Sequence, residues 1–161
     1  MTTNLFSRSR VTIITMCLGV TLAAVQAHAM GSDSSTGSAR ITDYAKAVEL
    51  IDDEEYSKAI PLLKKSIREK GDYADALNQL GFAYRKSGNW KVGMEYYLKA
   101  LALEPNHLGA NEYLGELYLE EDDLPNAEKQ LVTLQKACGT CDEYEELAEA
   151  IEDYKDDKNI D

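Results

Sequence analysis

Histidine, cysteine and basic residues are scarce in this chain. Its 161 residues hold two histidines, three cysteines, and 17 lysines and arginines against 29 acids. Each shortage closes off a class of function. A closed tetrahedral metal site takes four ligands, and a single close cysteine pair with a distant histidine does not supply them, so no metal is expected. With a net charge of −12, nothing basic and continuous could track a phosphate backbone, which argues against nucleic-acid binding. The sequence has no glycine-rich phosphate loop, no HExxH and no serine beside a convincing base. No enzyme constellation emerges and no cofactor is implied. The abundant acids read as solvated helix faces.

The apolar run that stands out lies at the start. MTTNLFSRSR carries Arg8 and Arg10 and no acid, VTIITMCLGVTLAAVQ follows, and Ala27 and Ala29 bracket His28. A basic start, a short apolar stretch and a small-x-small end describe a secretory signal peptide over 1–29. An uncleaved anchor is the alternative. A lipid anchor at Cys17 would want a small residue just before it, where Met16 stands. Cleavage after Ala29 removes two arginines and takes the net charge from −12 to −14. It also leaves Cys138 and Cys141 as the remaining cysteines, and it leaves no stable membrane insertion. Residues 30–39, MGSDSSTGSA, are small and polar and read as a flexible linker.

From Arg40 onward the apolar residues recur at helical spacing. Seven stripes follow one another: Tyr44-Val48-Ile51, Ile60-Leu63-Ile67, Leu77-Leu80-Tyr84, Val92-Tyr96-Ala100, Tyr113-Leu117, Ala127-Leu131-Leu134 and Tyr144-Leu147-Ile151. The breaks are short. Ser87-Gly88-Asn89 makes a tight turn, Pro105 ends the fourth stripe, and Pro125 suits the first turn of the sixth. Helices on such short connections lie antiparallel.

The breaks also recur. Gly81 and Gly115 are 34 residues apart, and Leu80 with Leu114 and Tyr84 with Tyr118 keep the same interval. Ala59, Gly93 and Ala127 share a register, as do Leu63, Tyr97 and Leu131. A helix pair cannot bury both apolar faces alone, so neighbours stack and close the core. Small residues mark where helices approach most closely. Gly93 weakens its own helix by about 0.5–1 kcal/mol relative to alanine, which points to a very close contact there.

The segment ALNQLGFAYRKSGNWKVGMEYYLKALALEPNH, from Ala76 to His107, resembles the tetratricopeptide repeat family. The next copy departs at Asn111, where a large apolar residue is usual. The first copy has Lys46 and Ala47 where leucine and glycine are usual. The resemblance implies an all-α fold: a right-handed α-solenoid of three helix pairs (40–73, 74–107 and 108–137), a capping helix over 138–155 and a frayed tail over 156–161. It also implies a concave groove lined by the first helix of each pair, with Tyr44, Val48 and Ile51, then Asn78, Phe82, Arg85 and Lys86, then Glu112, Glu116 and Leu119. In that groove Arg85 would hold a partner carboxylate and Asn78 would meet a peptide backbone group.

Cys138 and Cys141 sit where the sixth helix meets the cap. A redox centre of thioredoxin type wants its CxxC after a strand, and acids at Asp142 and Glu143 disfavour a thiolate. The plainer reading is a structural disulfide in an oxidising compartment. The chain is thus expected to be an exported, periplasmic, non-catalytic scaffold that binds a protein or peptide. A thiol–disulfide redox factor and a purely structural component of an envelope complex are the alternatives. Self-association through Tyr44, Val48 and Ile51 is a further expectation.

Overall fold

The computed structural model describes residues 42–160. The signal peptide and linker expectations, with Cys17, lie outside them. Seven helices follow in order: α1 (Asp43–Asp52), α2 (Tyr56–Lys70), α3 (Ala74–Lys86), α4 (Trp90–Leu103), α5 (Leu108–Glu120), α6 (Leu124–Cys138) and α7 (Asp142–Lys158). Among the described residues there is no strand, and no helix is long and apolar enough to cross a membrane. α1 packs on α2, α3 on α4 and α5 on α6, each pair stacks on the next, and α7 closes against both α5 and α6.

The 34-residue interval is built into the turns within each pair. Glu54, Gly88 and Asp122 occupy the same place in the three pairs, and all three have positive φ, at 59°, 83° and 58°. The residue after each returns a backbone bond to the helix it left: Glu55 N–H to Leu50 O at 2.7 Å, Asn89 N–H to Tyr84 O at 2.8 Å, and Asp123 N–H to Tyr118 O at 2.8 Å. This left-handed closure satisfies carbonyls that the helix end would leave unpaired. Glycine enters that conformation freely, whereas a side chain is strained in it. Glu54→Gly should therefore raise stability by about 0.5–1 kcal/mol, read as a shift in the urea midpoint. Asp122→Gly should not, because its carboxylate holds Lys158 at 2.7 Å and the Tyr154 hydroxyl at 3.0 Å.

The small residues mark the closest approaches. A Cβ added to Gly93 would lie 2.9 Å from the Gly81 carbonyl oxygen, and one added to Gly81 would lie 2.7 Å from the Tyr97 ring. Tyr97 fills that gap and is fully buried. Gly115 serves the same purpose one repeat on, with a different neighbour: its space is taken by Leu147 of α7, 2.5 Å from the position of an added Cβ. Asn111, which breaks the repeat pattern, is buried and donates from Nδ2 to the carbonyls of Pro105 (3.1 Å) and His107 (2.8 Å). It ties down the loop that an apolar side chain would only cover. His107 caps α5, its Nδ1 accepting from Ala110 N–H at 3.1 Å, while Nε2 lies 3.2 Å from Asp75.

The C-terminal boundary differs from expectation. α7 runs to Lys158 rather than stopping at 155, and Asn159 closes it with φ 53°. Basic residues anchor its end: Lys155 pairs with Glu128 of α6 at 2.6 Å, and Lys158, expected in the frayed tail, pairs with Asp122. At its other end the sulfurs of Cys138 and Cys141 lie 2.05 Å apart, at bonding distance.

Candidate protein-binding groove

α3, α5 and α7 enclose an open groove of about 570 Å³, lined by Arg85, Lys86, Glu116, Leu119, Glu120, Ala150, Asp153 and Tyr154. α5 forms its floor. Glu112, Glu116 and Glu120 recur every four residues and so share one stripe of that helix. α7 forms one wall, since Leu147 and Ile151 are buried against α5 and α6.

Arg85 dominates the electrostatics. Its side chain is 6% exposed, yet Nη1 donates to Glu116 at 2.6 Å and Nη2 to Glu120 at 2.5 Å, with Nε adding a 3.1 Å bond to Glu120. Burial favours loss of the proton, but the bonds to Glu120 and Glu116 outweigh it and hold the guanidinium above its ordinary value. Arg85 is thus a clasp between α3 and α5 rather than a cation held out for a partner's carboxylate. Lys86, its neighbour, is exposed, with its ammonium 5.4 Å from the Phe82 ring centroid.

The other expected groove residues divide into two groups. Phe82 is half-buried between Tyr113 (4.9 Å) and Tyr56 (6.1 Å), so it joins α2, α3 and α5. Asn78 is 5% exposed and packs near Gly109, and its Oδ1 has no hydrogen-bond partner among the described residues. Leu119 lines the groove. The α1 trio does not form an exposed apolar edge. Ile51 is in the core, Val48 is half-buried and Tyr44 tilts against Tyr73 at 5.8 Å.

Glu112, expected to line the groove, is buried instead. It is 3% exposed. Burial, reinforced by Glu146 and then by Glu116 and Glu143, pushes its carboxyl up to about 9. At neutral pH it is a protonated acid at the contact between α5 and α7. The linkage sign follows. The folded protein keeps a proton that the unfolded chain releases near 4.5, so stability falls as pH rises from there to about 9 and then levels. Glu112→Gln should remove that slope. Its melting temperature should exceed that of the parent by a margin that widens between pH 5 and 8. A margin that does not change with pH would reject the buried-acid assignment.

The wall from α7 was not among the expected groove residues, because a charged terminal helix reads as a solvated cap. The Arg85 clasp left a faint sequence signal: Glu116 and Glu120 flank the position one repeat beyond Arg85.

A family model described as tetratricopeptide repeat matches residues 74–107. No curated protein matches the chain by sequence. Among solved structures, MamA from Desulfovibrio magneticus RS-1 is 25% identical with a TM-score of 0.56; the match covers 59% of this chain and 54% of MamA. The chain thus spans about half the length of that protein. The Sgt2 tetratricopeptide domain from Aspergillus fumigatus is 21% identical with a TM-score of 0.64, over 73% of this chain and 77% of that one. The Yersinia enterocolitica type III secretion chaperone SycD, in complex with a peptide of the translocator YopD, is 17% identical with a TM-score of 0.62, over 72% and 92%. Residues 74–107 thus match the tetratricopeptide repeat, and the described helices share the all-α repeat fold of these solved structures.

Proposed function

We propose that the chain is a non-catalytic scaffold that binds an extended segment of a partner protein in the groove between α3, α5 and α7. The observation that carries this reading is the groove itself. It is open, Leu119, Ala150 and Tyr154 give it apolar surface, and Lys86, Glu116, Glu120 and Asp153 surround that surface with charge. An open trough with partly apolar walls suits a chain segment better than a small enclosed ligand. SycD, a structure of similar fold, holds a peptide of YopD. With Arg85 internally paired, the accessible charges at the groove are mostly acidic, and the bound segment is expected to be apolar or basic.

The same reading includes export to the periplasm by the 1–29 signal, where Cys138 and Cys141 form a disulfide that sets the angle between α6 and α7. The test uses protein from residue 30 onward as bait in a periplasmic fraction, beside the charge swap Lys86→Glu/Asp153→Lys. Both substituted residues are exposed, so the fold is retained. A partner held by the parent and lost by the swap supports the groove. Equal capture by both moves the interface elsewhere. An unprocessed chain that stays in the cytoplasm would sink the export reading.

A further inference from the structure

We propose that α2, α3 and α4 form a second docking site, separate from the groove, for a short acidic segment of a partner protein that presents one apolar side chain between carboxylates. The site is a pocket of about 300 Å³. Its base is the core itself, where Leu77 and Leu80 are closed off, and its accessible apolar surface comes from half-buried Ile67 and Tyr96. Lys64 and Arg68 from α2 and Lys99 from α4 surround it.

Three cations around one pocket are unusual in a chain with 29 acids and 17 bases. Of the eleven other described lysines and arginines, five (Lys58, Lys65, Arg85, Lys155 and Lys158) are in ion pairs. Among the described residues, Lys64, Arg68 and Lys99 are in none. Lys64 and Arg68 stand one turn apart on the same face of α2, where like charges repel. Asp72 is the one acid among the lining residues, so the pocket keeps a positive surplus.

The lysines are also pre-positioned. Tyr84 and Tyr96 stack with ring centroids 5.6 Å apart and planes within 1°. Lys64 Nζ sits 5.2 Å from the Tyr84 centroid, and Lys99 Nζ sits 4.8 Å from the Tyr96 centroid. Each ring face holds an ammonium at the rim without neutralising it. An incoming carboxylate therefore meets cations whose side chains are already ordered, which lowers the entropy lost on binding.

Size and charge select the occupant. The pocket takes one large apolar side chain, not a lipid tail. A membrane surface or a long polyanion would also face the acids of the remaining chain, whose net charge is −12. A short segment with carboxylates on both sides of one apolar residue reaches the three cations and little else.

The test titrates protein from residue 30 onward with a blocked pentapeptide, phenylalanine between two pairs of glutamates, followed by the amide NMR signals of Tyr84 and Tyr96. Saturable shifts are expected. They should weaken about tenfold for Arg68→Gln/Lys99→Gln, as the loss of charge-assisted bonds implies, and vanish for Arg68→Glu/Lys99→Glu. Lys46→Glu, on α1, should bind as the parent does. Unchanged melting temperatures in all variants separate lost binding from lost folding. Absence of saturation would overturn the proposal, as would equal binding of the same peptide with glutamines. Equal affinity for free 3-phenylpropionate would also overturn it, reassigning the pocket to a small carboxylic acid. Loss of binding in the Lys86→Glu/Asp153→Lys protein alone would overturn it by placing the peptide in the groove.

Discussion

Gly93→Ala should destabilise the protein by about 1–2 kcal/mol, although alanine is the better helix former by about 0.5–1 kcal/mol. The reason is what the new methyl meets. Its Cβ would lie 2.9 Å from the Gly81 carbonyl oxygen and 3.2 Å from the Arg85 backbone nitrogen and Cβ. Those are backbone atoms or atoms fixed to the backbone, and no rotamer change moves them. α3 and α4 must separate, and overpacking of that kind costs about 1–3 kcal/mol. Gly93→Leu should unfold the middle pair outright. Gly115→Ala is the milder change, because its added Cβ meets the tip of Leu147, a side chain that can turn. Urea denaturation orders the three. A Gly93→Ala protein more stable than its parent would mean that the close approach of α3 and α4 is not what holds glycine there.

Arg85→Ala is expected to be the most damaging polar substitution. Breaking a fully buried ion pair costs about 3–5 kcal/mol. Here the acceptors reach water, with Glu116 at 28% and Glu120 at 50% exposed, and screening lowers the expectation to about 1–3 kcal/mol. The loss leaves Glu112, Glu116 and Glu120 stacked along one stripe with no cation between α3 and α5. Arg85→Lys should recover only part, since an ammonium cannot span both carboxylates as the planar fork does. Adding Glu116→Gln and Glu120→Gln to Arg85→Ala should recover stability, and that non-additivity is the signature of the clasp. Three independent, additive effects would dissolve it. One practical result is that Arg85 is a poor probe of partner binding, because its substitution reports on folding first.

How much of this could be read from the sequence depended on what kind of signal each feature leaves. The stacking of three pairs was legible because close approaches demand small residues at fixed intervals, and Gly81, Gly93, Gly115 and Ala127 stand at them. The first pair was legible through Ala47 and Ala59, both fully buried. The turns were half legible. Gly88 announces a left-handed residue, but Glu54 and Asp122 adopt the same φ without a glycine to mark it. The length of α7 was not legible, since Lys155 and Lys158 carry no apolar period and act through partners on other helices. Nor was burial of Glu112, because a glutamate in an acidic chain reads as solvated until a neighbouring helix is laid over it. The groove was expected along α1, α3 and α5, whereas the open groove described above lies between α3, α5 and α7, and at Arg85 the charge seen as an offer to a partner is answered within the chain.

The two ends of the array are unequal. α7 is held by close sulfurs at its start and by Lys155, Lys158 and Tyr154 at its finish. α1 has ten residues, with the Thr42 hydroxyl capping its start and Lys65 bonding Asp43. In a quasi-one-dimensional stack, each unit is only as durable as its nearest contacts. Melting should therefore be directional, a zip opening from the amino-terminal pair toward a carboxy-terminal stop, with amide exchange fastest in α1. A partner seated between α3 and α7 would then be held by the part of the protein that comes apart last.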